Sequence, residues 1–372
     1  MTRNQKKDKI QSEAVTRSVA SQFLCLEWAT GCGKTLGTAK IVENFLRVKN
    51  NAVGYLVCKE STHRKNWKDD LIKHGKDSIL DNTKTILYAS LHKQVEVADF
   101  IVLDECHALT PKRIQSLVGI CKPNTRIIFL SATIPKDKKA LMDGLGITID
   151  YYKITLNKAF SMGLLPEPSL IVHEVELNPE EKAKYKEFND RIESYLKKSE
   201  DLKQHYLVRN RAHDMYLNTA SFRKRFIAEV KTKYLTSLIA QFRKDNSRFI
   251  CFTGSVDQAN EIGQTSAVHS KNLRGVNQDL IDCFNRGECD ELFAVKMLRE
   301  GVNLFNIERG VITQLDSGIT SFFQMLGRCL RHQFPEMHLF VLKDTQDVVY
   351  FKKSMRSFNK KYIKYRDYGI IL

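Results

Sequence analysis

The stretch Trp28-Ala-Thr-Gly-Cys-Gly-Lys-Thr35 follows the apolar run Phe23 to Leu26 and precedes a helical pattern that runs towards Val48. A strand, a glycine-rich turn and a helix in this order direct successive backbone N–H groups and the positive end of a helix dipole towards an anion. The stretch therefore predicts a nucleoside triphosphate site, although Trp28 replaces the first glycine of the G-x-x-x-x-G-K-[ST] pattern. The alternative is a glycine-rich turn that binds no ligand.

The positions of this turn have different expected roles. Lys34 reaches the β- and γ-phosphates, and the hydroxyl of Thr35 holds Mg²⁺. Cys32 is either an oxidisable thiol or a small filler of the turn, and we favour the filler. The residues that we expect to bind the nucleotide through the turn are Thr30, Gly31, Cys32, Gly33, Lys34 and Thr35.

A second apolar run ends in two carboxylates. Phe100 to Leu103 has the character of a buried strand, and Asp104-Glu105-Cys106-His107 follows it. Ligands of α/β proteins bind where parallel strands leave the sheet. Phosphoryl transfer to water needs one carboxylate for Mg²⁺ and another that orients and deprotonates the attacking water. We assign Asp104 to the metal and Glu105 to the base; the alternative is an acidic helix N-terminus.

These two segments resemble motifs of a known family. The turn resembles motif I of the superfamily-two helicases, the Asp-Glu-Cys-His tetrad resembles motif II, and Ser131-Ala-Thr133 after the predicted strand Arg126 to Leu130 resembles motif III. In the second half, Phe252 to Ser255 resembles motif IV, Leu298 to Leu304 motif V and Gln324 to Arg331 motif VI. The motifs stand in the family's order and span nearly the whole chain.

Two details place the likeness nearest to the DNA-acting branch that contains type I restriction motors, XPB-like helicases and phage helicases such as UvsW. Trp28-Ala-Thr-Gly resembles that branch's version of the turn. Gly163 to Pro166, followed by Leu177 to Glu181, resembles its passage between the two motor domains. The compact core would suit a phage or mobile-element motor.

The alternation of short apolar strands with helix-length polar segments predicts parallel sheets wrapped by helices, and it occurs twice. A chain of 372 residues is long enough for two domains. We therefore expect an α/β fold of two tandem RecA-like lobes with a helical segment between them. The expected ranges are 1–153 for the ATP-binding lobe, 154–245 for a linker and charged helices, 246–345 for the second lobe, and 346–372 for a basic aromatic tail.

The resemblance implies an ATP-dependent DNA helicase or translocase that uses ATP and Mg²⁺. Arg328 and Arg331, three residues apart on a predicted helix, would act as arginine fingers beside Gln324. Gln5 would read adenine, although a disordered basic terminus is an equal alternative, and Gly301 and Asn303 of motif V would lie near the ribose. The expected nucleic-acid contacts are Lys59, Ser61, Ser90, His92, Thr253, Gly254 and Ser255, and Ser131 and Thr133 would couple the carboxylates to the cleft.

A formal net charge of +16 indicates an anionic partner, for which nucleic-acid phosphate is the natural candidate. We expect single-stranded, forked or branched DNA as the partner, with RNA as the alternative. A second alternative is an ATP-gated motor subunit that does not separate strands.

Nine scattered cysteines without paired spacing favour a reducing compartment. No segment resembles a signal peptide or membrane span, so we expect a cytoplasmic monomer without a membrane partner. The tail from Tyr350 to Tyr368 would contact nucleic acid or form a helix that packs through Phe351, Met355, Phe358 and Tyr362.

Overall fold

Two parallel β-sheets flanked by helices make up the architecture of the protein in the computed structural model. The described residues divide into two units, the first within Met1–Glu167 and the second starting at Pro168, with one sheet each. The predicted α/β fold of two tandem lobes is therefore confirmed. The residues that the structure describes are 1–201, 203–273, 275–295, 304–315, 319–330, 332–356 and 358–368.

The sheet of the first unit has six strands: β1 (Phe23–Trp28), β2 (Gly54–Cys58), β3 (Thr83–Leu87), β4 (Ala98–Leu103), β5 (Cys121–Ser131) and β6 (Asp150–Ile154). Their spatial order is β3-β2-β4-β5-β1-β6, and every pairing is parallel. β2 and β4 are buried at every position because helices cover both faces of the sheet. Since β1 and β4 both pair with β5, the segments that follow them leave the same edge of the sheet on either side of β5.

Six helices belong to the first unit: α1 (Arg3–Ala20), α2 (Lys34–Val48), α3 (Ser61–Lys73), α4 (Pro111–Val118), α5 (Lys136–Asp143) and α6 (Leu156–Ser161). Local sequence explains where several of them begin. The hydroxyl of Thr110 accepts a hydrogen bond from the backbone N–H of Arg113, and Pro111 occupies the first turn of α4. α2 begins directly after Gly33, which has a left-handed backbone conformation and no side chain to cap the helix.

Within the described residues, the sheet of the second unit has seven strands: β7 (Ser169–Val175), β8 (Phe249–Phe252), β9 (Ala267–Val268), β10 (Glu291–Ala294), β11 (Arg309–Ile312), β12 (Glu336–Leu342) and β13 (Ile363–Tyr368). Their order is β13-β7-β12-β11-β8-β10-β9, again with parallel pairings. The helices are α7 (Pro179–Glu200), α8 (Tyr206–Lys244), α9 (Val256–Gly263), α10 (Val276–Arg286), α11 (Ile319–Cys329) and α12 (Gln346–Met355).

The range 154–245, expected as a linker and charged helices, contains α7 and α8 and also β7. The predicted start of a helix at Asn178 is confirmed: its side chain accepts from the backbone N–H of Glu181 at 2.8 Å, and Glu181 accepts from the backbone N–H of Asn178 at 2.9 Å. β7 pairs with β12 and β13, so this part of the range belongs to the second sheet.

The C-terminal segment is not the single helix that the spacing of its apolar residues allows. α12 ends at Met355, Lys360–Tyr362 forms a short 3-10 turn, and β13 forms the outer strand of the second sheet beside β7. Phe358 and Tyr362 are nonetheless buried. β13 carries the exposed charged residues Lys364, Arg366 and Asp367, as an edge strand can. It therefore lacks the apolar run by which a central strand is predicted from sequence.

Candidate nucleotide-binding site

The turn between β1 and α2 has the geometry of an anion cradle. Gly31 and Gly33 both have φ of +87°, a conformation that side chains rarely adopt. A Cβ atom on Gly33 would lie 2.7 Å from Nε2 of Gln11, so a side chain there would also displace the end of Gln11. The backbone N–H of Cys32 donates to the carbonyl of Ala29 at 3.2 Å and closes the turn. Glycine at these two positions is therefore a structural requirement.

The donors of this turn fit a triphosphate. The first turn of α2 carries no acidic residue, and no side chain caps its N–H groups. The ammonium of Lys34 donates to the carbonyl oxygen of Trp28 at 2.7 Å, which holds it beside the turn. Thr35, in the first turn, contributes a hydroxyl of the kind that binds Mg²⁺. Backbone N–H groups, a helix dipole and an ammonium together favour several negative charges.

Burial governs the cysteine in the turn. Cys32 is fully buried, and burial raises the pKa of its thiol to about 11, against the opposing effects of Lys34 and Lys7. The thiolate is the reactive form of cysteine, so the thiol of Cys32 has little reactivity. The structure thus supports the interpretation of Cys32 as a filler.

The two carboxylates after β4 are held in different ways. Oδ1 of Asp104 accepts from the backbone N–H of Glu105 at 3.1 Å, and Oδ2 accepts from Nε1 of Trp67 at 2.9 Å. Glu105 has φ of +50°, an uncommon conformation for a residue with a side chain, and Oε2 of Glu105 lies 3.2 Å from Nδ1 of His107. Strained backbone of this kind clusters at functional sites.

Two histidines contact these carboxylates from different elements. Nδ1 of His63, on α3, lies 3.5 Å from Oδ2 of Asp104. Burial alone would lower the pKa of His63, but its contact with Asp104 outweighs burial and raises that pKa. His107 contacts Oγ of Ser131 at 3.2 Å as well as Glu105. The hydroxyl of Ser131 donates to the backbone carbonyl of Thr133 at 2.9 Å, so Ser131 and Thr133 join this network.

Gln5 and Gln11 occupy very different environments on α1. Gln5 is exposed, and its Oε1 accepts from the backbone N–H of Thr2 at 2.8 Å in a capping box. The terminus is helical from Arg3, which contradicts the alternative of a disordered end. Gln11 is 2% exposed; its Nε2 donates to the carbonyl of Gly33 at 3.3 Å, and its Oε1 accepts from Lys40 at 2.7 Å.

Sequence reasoning missed Gln11, Trp67 and His63. The signal for Gln11 was its position beside Ile10 and Ala14, on the face of α1 that is buried. A glutamine at a buried position needs hydrogen-bond partners, and so indicates a specific contact. Trp67 and His63 stand four residues apart on the buried face of α3, which a helical projection would also have found.

The expected nucleic-acid contacts follow strand ends in both units. In the first unit, Lys59 and Ser61 follow β2, and Ser90 and His92 lie in the 3-10 helix after β3. Ser61 and His92 are exposed, whereas the hydroxyl of Ser90 donates to the carbonyl of Leu87 at 3.0 Å.

In the second unit, Thr253, Gly254 and Ser255 follow β8, and several of their groups already have local partners. Thr253 is 3% exposed, and Ser255 caps α9 by accepting from the backbone N–H of Gln258. Gly254 donates its backbone N–H to Oε1 of the same glutamine at 2.9 Å. Gln324 and Arg328 lie in α11, whereas Gly301, Asn303 and Arg331 lie outside the described residues.

Two family models match separate parts of the chain. Residues 4–136 match the model described as the res subunit of type III restriction enzymes, and residues 230–333 match the helicase conserved C-terminal domain. The first match includes the phosphate turn, both carboxylates and Gln11; the second includes α11. A comparison with curated proteins found no match.

Solved structures share the fold over nearly the whole chain. The helicase domain of Hef from Pyrococcus furiosus has a TM-score of 0.59 at 16% identity, over 94% of this chain and 97% of that chain. The DEAD-box helicase Mss116 bound to ssRNA and UDP-BeF has a TM-score of 0.66 at 13% identity, over 97% and 75%. The type ISP restriction-modification enzyme LlaBIII bound to DNA has a TM-score of 0.59 at 13% identity, over 98% and 31%. These likenesses show a fold of two tandem RecA-like lobes.

The part of the chain that the structure describes has no helix with the length and apolar character needed to span a bilayer.

Proposed function

We propose that this chain, which belongs to superfamily two of the helicases and is therefore an ATP-hydrolysing enzyme, couples hydrolysis of Mg-ATP to movement along DNA or to its remodelling. One observation carries the proposal. An anion cradle follows β1 and two carboxylates follow β4, on either side of β5 at one edge of the first sheet. The first unit therefore contains a turn that can bind phosphates, a metal ligand in Asp104 and a general base in Glu105.

The cradle grips the phosphates. The N–H groups at the start of α2 point at the anion, and Lys34 exchanges the carbonyl of Trp28 for phosphate oxygens. Gln11 fixes the position of Gly33 from the side of α1, so it, and not the exposed Gln5, is the glutamine that we place in the nucleotide site. This contact joins the amide nitrogen of Gln11 to the turn that we propose binds the phosphates.

The carboxylates divide the remaining chemistry. Mg²⁺, when bound through Asp104 and Thr35, neutralises charge on the phosphates. Glu105 orients the attacking water and accepts its proton, and His107, whose Nδ1 lies 3.2 Å from Oε2 of Glu105, helps to position this carboxylate. Ser131 contacts the same histidine, so a movement of the segment from Ser131 to Thr133 would change the position of Glu105.

The second unit would complete the reaction. Arg328, with Gln324, lies in α11, and Arg331 follows that helix closely in sequence. We assign both arginines to stabilisation of the charge that develops on the transferred phosphoryl group, where an arginine is worth roughly 10³ to 10⁵ in rate. We also assign Gly301 and Asn303 to contacts near the ribose, as the resemblance to motif V implies.

Charge and family support DNA as the polymer. The net charge of +16 favours a phosphate backbone, and the first family model is that of a restriction-enzyme subunit. Within the superfamily we place the chain in the branch of restriction motors, XPB-like helicases and phage helicases. An RNA helicase is the second candidate, because Mss116, which shares the fold, is bound to ssRNA.

A panel of matched polymers tests the proposal. ATP hydrolysis would be measured with single-stranded DNA, forked DNA, four-way junctions, duplex DNA and single-stranded RNA of the same sequence. We expect stimulation by one or more of the DNA substrates that exceeds stimulation by RNA. Greater stimulation by RNA would select the RNA helicase, and no stimulation by any polymer would refute the proposal. A strand-displacement assay then separates a helicase from a translocase or an ATP-gated motor that does not separate strands.

A further inference from the structure

Trp67 holds the proposed metal ligand directly. Its indole N–H, which can only donate, lies 2.9 Å from Oδ2 of Asp104, and the tryptophan is 6% exposed. Hydrogen bonds from buried donors to carboxylates are among the stronger ones in proteins. The backbone N–H of Glu105 binds the other oxygen, Oδ1, so protein donors orient both carboxylate oxygens. Oδ1 has a second lone pair that can face a metal ion or its water.

His63 supports the same oxygen from the preceding turn of α3. Its Nδ1 lies 3.5 Å from Oδ2 of Asp104, and its side chain is 7% exposed. Positions four residues apart lie on one face of a helix, so α3 presents Trp67 and His63 to Asp104 together. The orientation of the carboxylate therefore depends on where α3 lies.

The same helix begins at the expected nucleic-acid surface. Ser61 is the first residue of α3 and is exposed, and Lys59 precedes it after β2. Trp67 is six residues beyond Ser61, which corresponds to about 9 Å along a helix axis. Because α3 is one continuous helix from Ser61 to Lys73, a displacement of its first turn would carry Trp67 and His63 with it.

We infer that Trp67, assisted by His63, is a positioning residue that orients Asp104 for Mg²⁺ and transmits the binding of DNA at the start of α3 to the nucleotide site. Orientation of Asp104 requires only the contacts described above. Transmission rests on the proposed function, because it takes Lys59 and Ser61 as DNA contacts. The partners that orient metal ligands commonly change metal affinity by 10- to 100-fold when they are removed.

Trp67→Phe tests the inference, because it removes the N–H and retains an aromatic ring. The measurement is Mg²⁺-dependent binding of a fluorescent, nonhydrolysable ATP analogue, with and without single-stranded DNA. Without DNA, we expect the half-saturating Mg²⁺ concentration to rise about tenfold in the variant. With DNA, we expect that concentration to fall about fivefold in the wild type and much less in the variant.

Two further variants keep the test decisive. Asp69→Asn changes an exposed residue of the same helix and should behave like the wild type. His63→Leu removes the weaker contact and should raise the Mg²⁺ requirement about threefold; it serves as the test if Trp67→Phe does not fold, as judged by thermal melting.

The outcomes separate the two parts of the inference. A folded Trp67→Phe or His63→Leu variant with wild-type Mg²⁺ dependence would overturn the positioning role. A DNA effect that survives intact in the variants would overturn transmission alone. A wild-type protein without any DNA effect would overturn transmission together with the proposed function, and the experiment without DNA would still decide the role of Trp67.

Discussion

The side-chain amide nitrogen of Gln11 lies 3.3 Å from the carbonyl oxygen of Gly33, which ties the first helix of the chain to the phosphate turn. Gln11 is buried and also accepts a hydrogen bond from Lys40 on α2. The phosphate turn between β1 and α2 is thus supported by α1, a helix that precedes β1 in the sequence.

Gln11→Ala should weaken nucleotide binding. Loss of a hydrogen bond that positions Gly33 costs about 1 kcal/mol, so we expect the KM for ATP to rise about fivefold. Gln5→Ala, which removes only a capping-box contact, provides the comparison. Steady-state ATPase measurements on both variants decide between the two glutamines: a higher KM in Gln5→Ala with an unchanged KM in Gln11→Ala would restore Gln5 as the nucleotide-binding residue.

Lys34→Ala and Glu105→Gln should both abolish turnover, for different reasons. Removal of the ammonium weakens ATP binding, whereas the amide at position 105 cannot accept the proton of the attacking water. We expect kcat to fall at least about 100-fold in each variant, with ATP affinity retained only in Glu105→Gln. Single-turnover hydrolysis and equilibrium binding measure the two effects. Appreciable turnover in either variant would contradict the assigned role.

Arg331→Ala should reduce hydrolysis about a thousandfold while ATP binding persists, because an arginine finger acts on the transition state. Arg286→Gln is a suitable control, since Arg286 is exposed in the same unit and forms a local ion pair with Glu288. Both variants would be assayed with saturating DNA. Normal turnover in Arg331→Ala would remove this residue from the site.

Lys231→Met should destabilise the second unit. The fully buried ammonium pairs with Asp347 and donates to the backbone carbonyls of Thr313, at 2.5 Å, and Phe340, at 3.0 Å. Its removal leaves a buried carboxylate without its charge partner, which costs about 3 to 5 kcal/mol. Thermal unfolding followed by far-UV circular dichroism should show the loss.

The double variant Lys231→Met/Asp347→Leu is the matched control for that loss. It removes both charges, so it should recover more than about 1 kcal/mol of the lost stability. The only two tryptophans of the chain, Trp28 and Trp67, lie in the first unit, so their fluorescence reports unfolding of that unit. We expect Lys231→Met to leave this fluorescence transition nearly unaltered. Equal stability of Lys231→Met and the wild type would show that the pair is dispensable.

Neutralisation of the C-terminal basic segment should weaken DNA binding without altering its sequence preference. No acidic residue stands between Val348 and Arg366, and the basic residues of this stretch are all exposed: Lys352, Lys353, Arg356, Lys360, Lys361, Lys364 and Arg366.

Lys360→Gln/Lys364→Gln is the informative pair. If both lysines contact phosphates, the slope of log affinity against log salt should decrease by about 1.4 for single-stranded DNA. Lys182→Gln/Lys186→Gln on α7 removes the same charge from an exposed helix and is the control. An equal change of slope in both pairs would indicate a general effect of net charge instead of a local contact.

Local sequence was sufficient for the phosphate turn and for the strand that precedes Asp104. The turn needs glycine at positions 31 and 33 because of its backbone geometry, and β4 is largely apolar because it is buried at all of its positions. Both features can therefore be recognised from a few consecutive residues. β13 has no such local pattern. Its charged outer strand is defined by backbone pairing with β7, nearly two hundred residues earlier in the chain.

The sequence by itself determined that the chain forms two α/β lobes, and it located the turn and the carboxylate pair, because these depend on hydrophobic periodicity and on short spacings. Only the tertiary structure decided which side chains support them. Gln11 reaches Gly33 from another helix, and Trp67 reaches Asp104 across 37 residues. Such contacts arise from the packing of helices on a sheet, which brings together residues whose separation along the chain carries no signal.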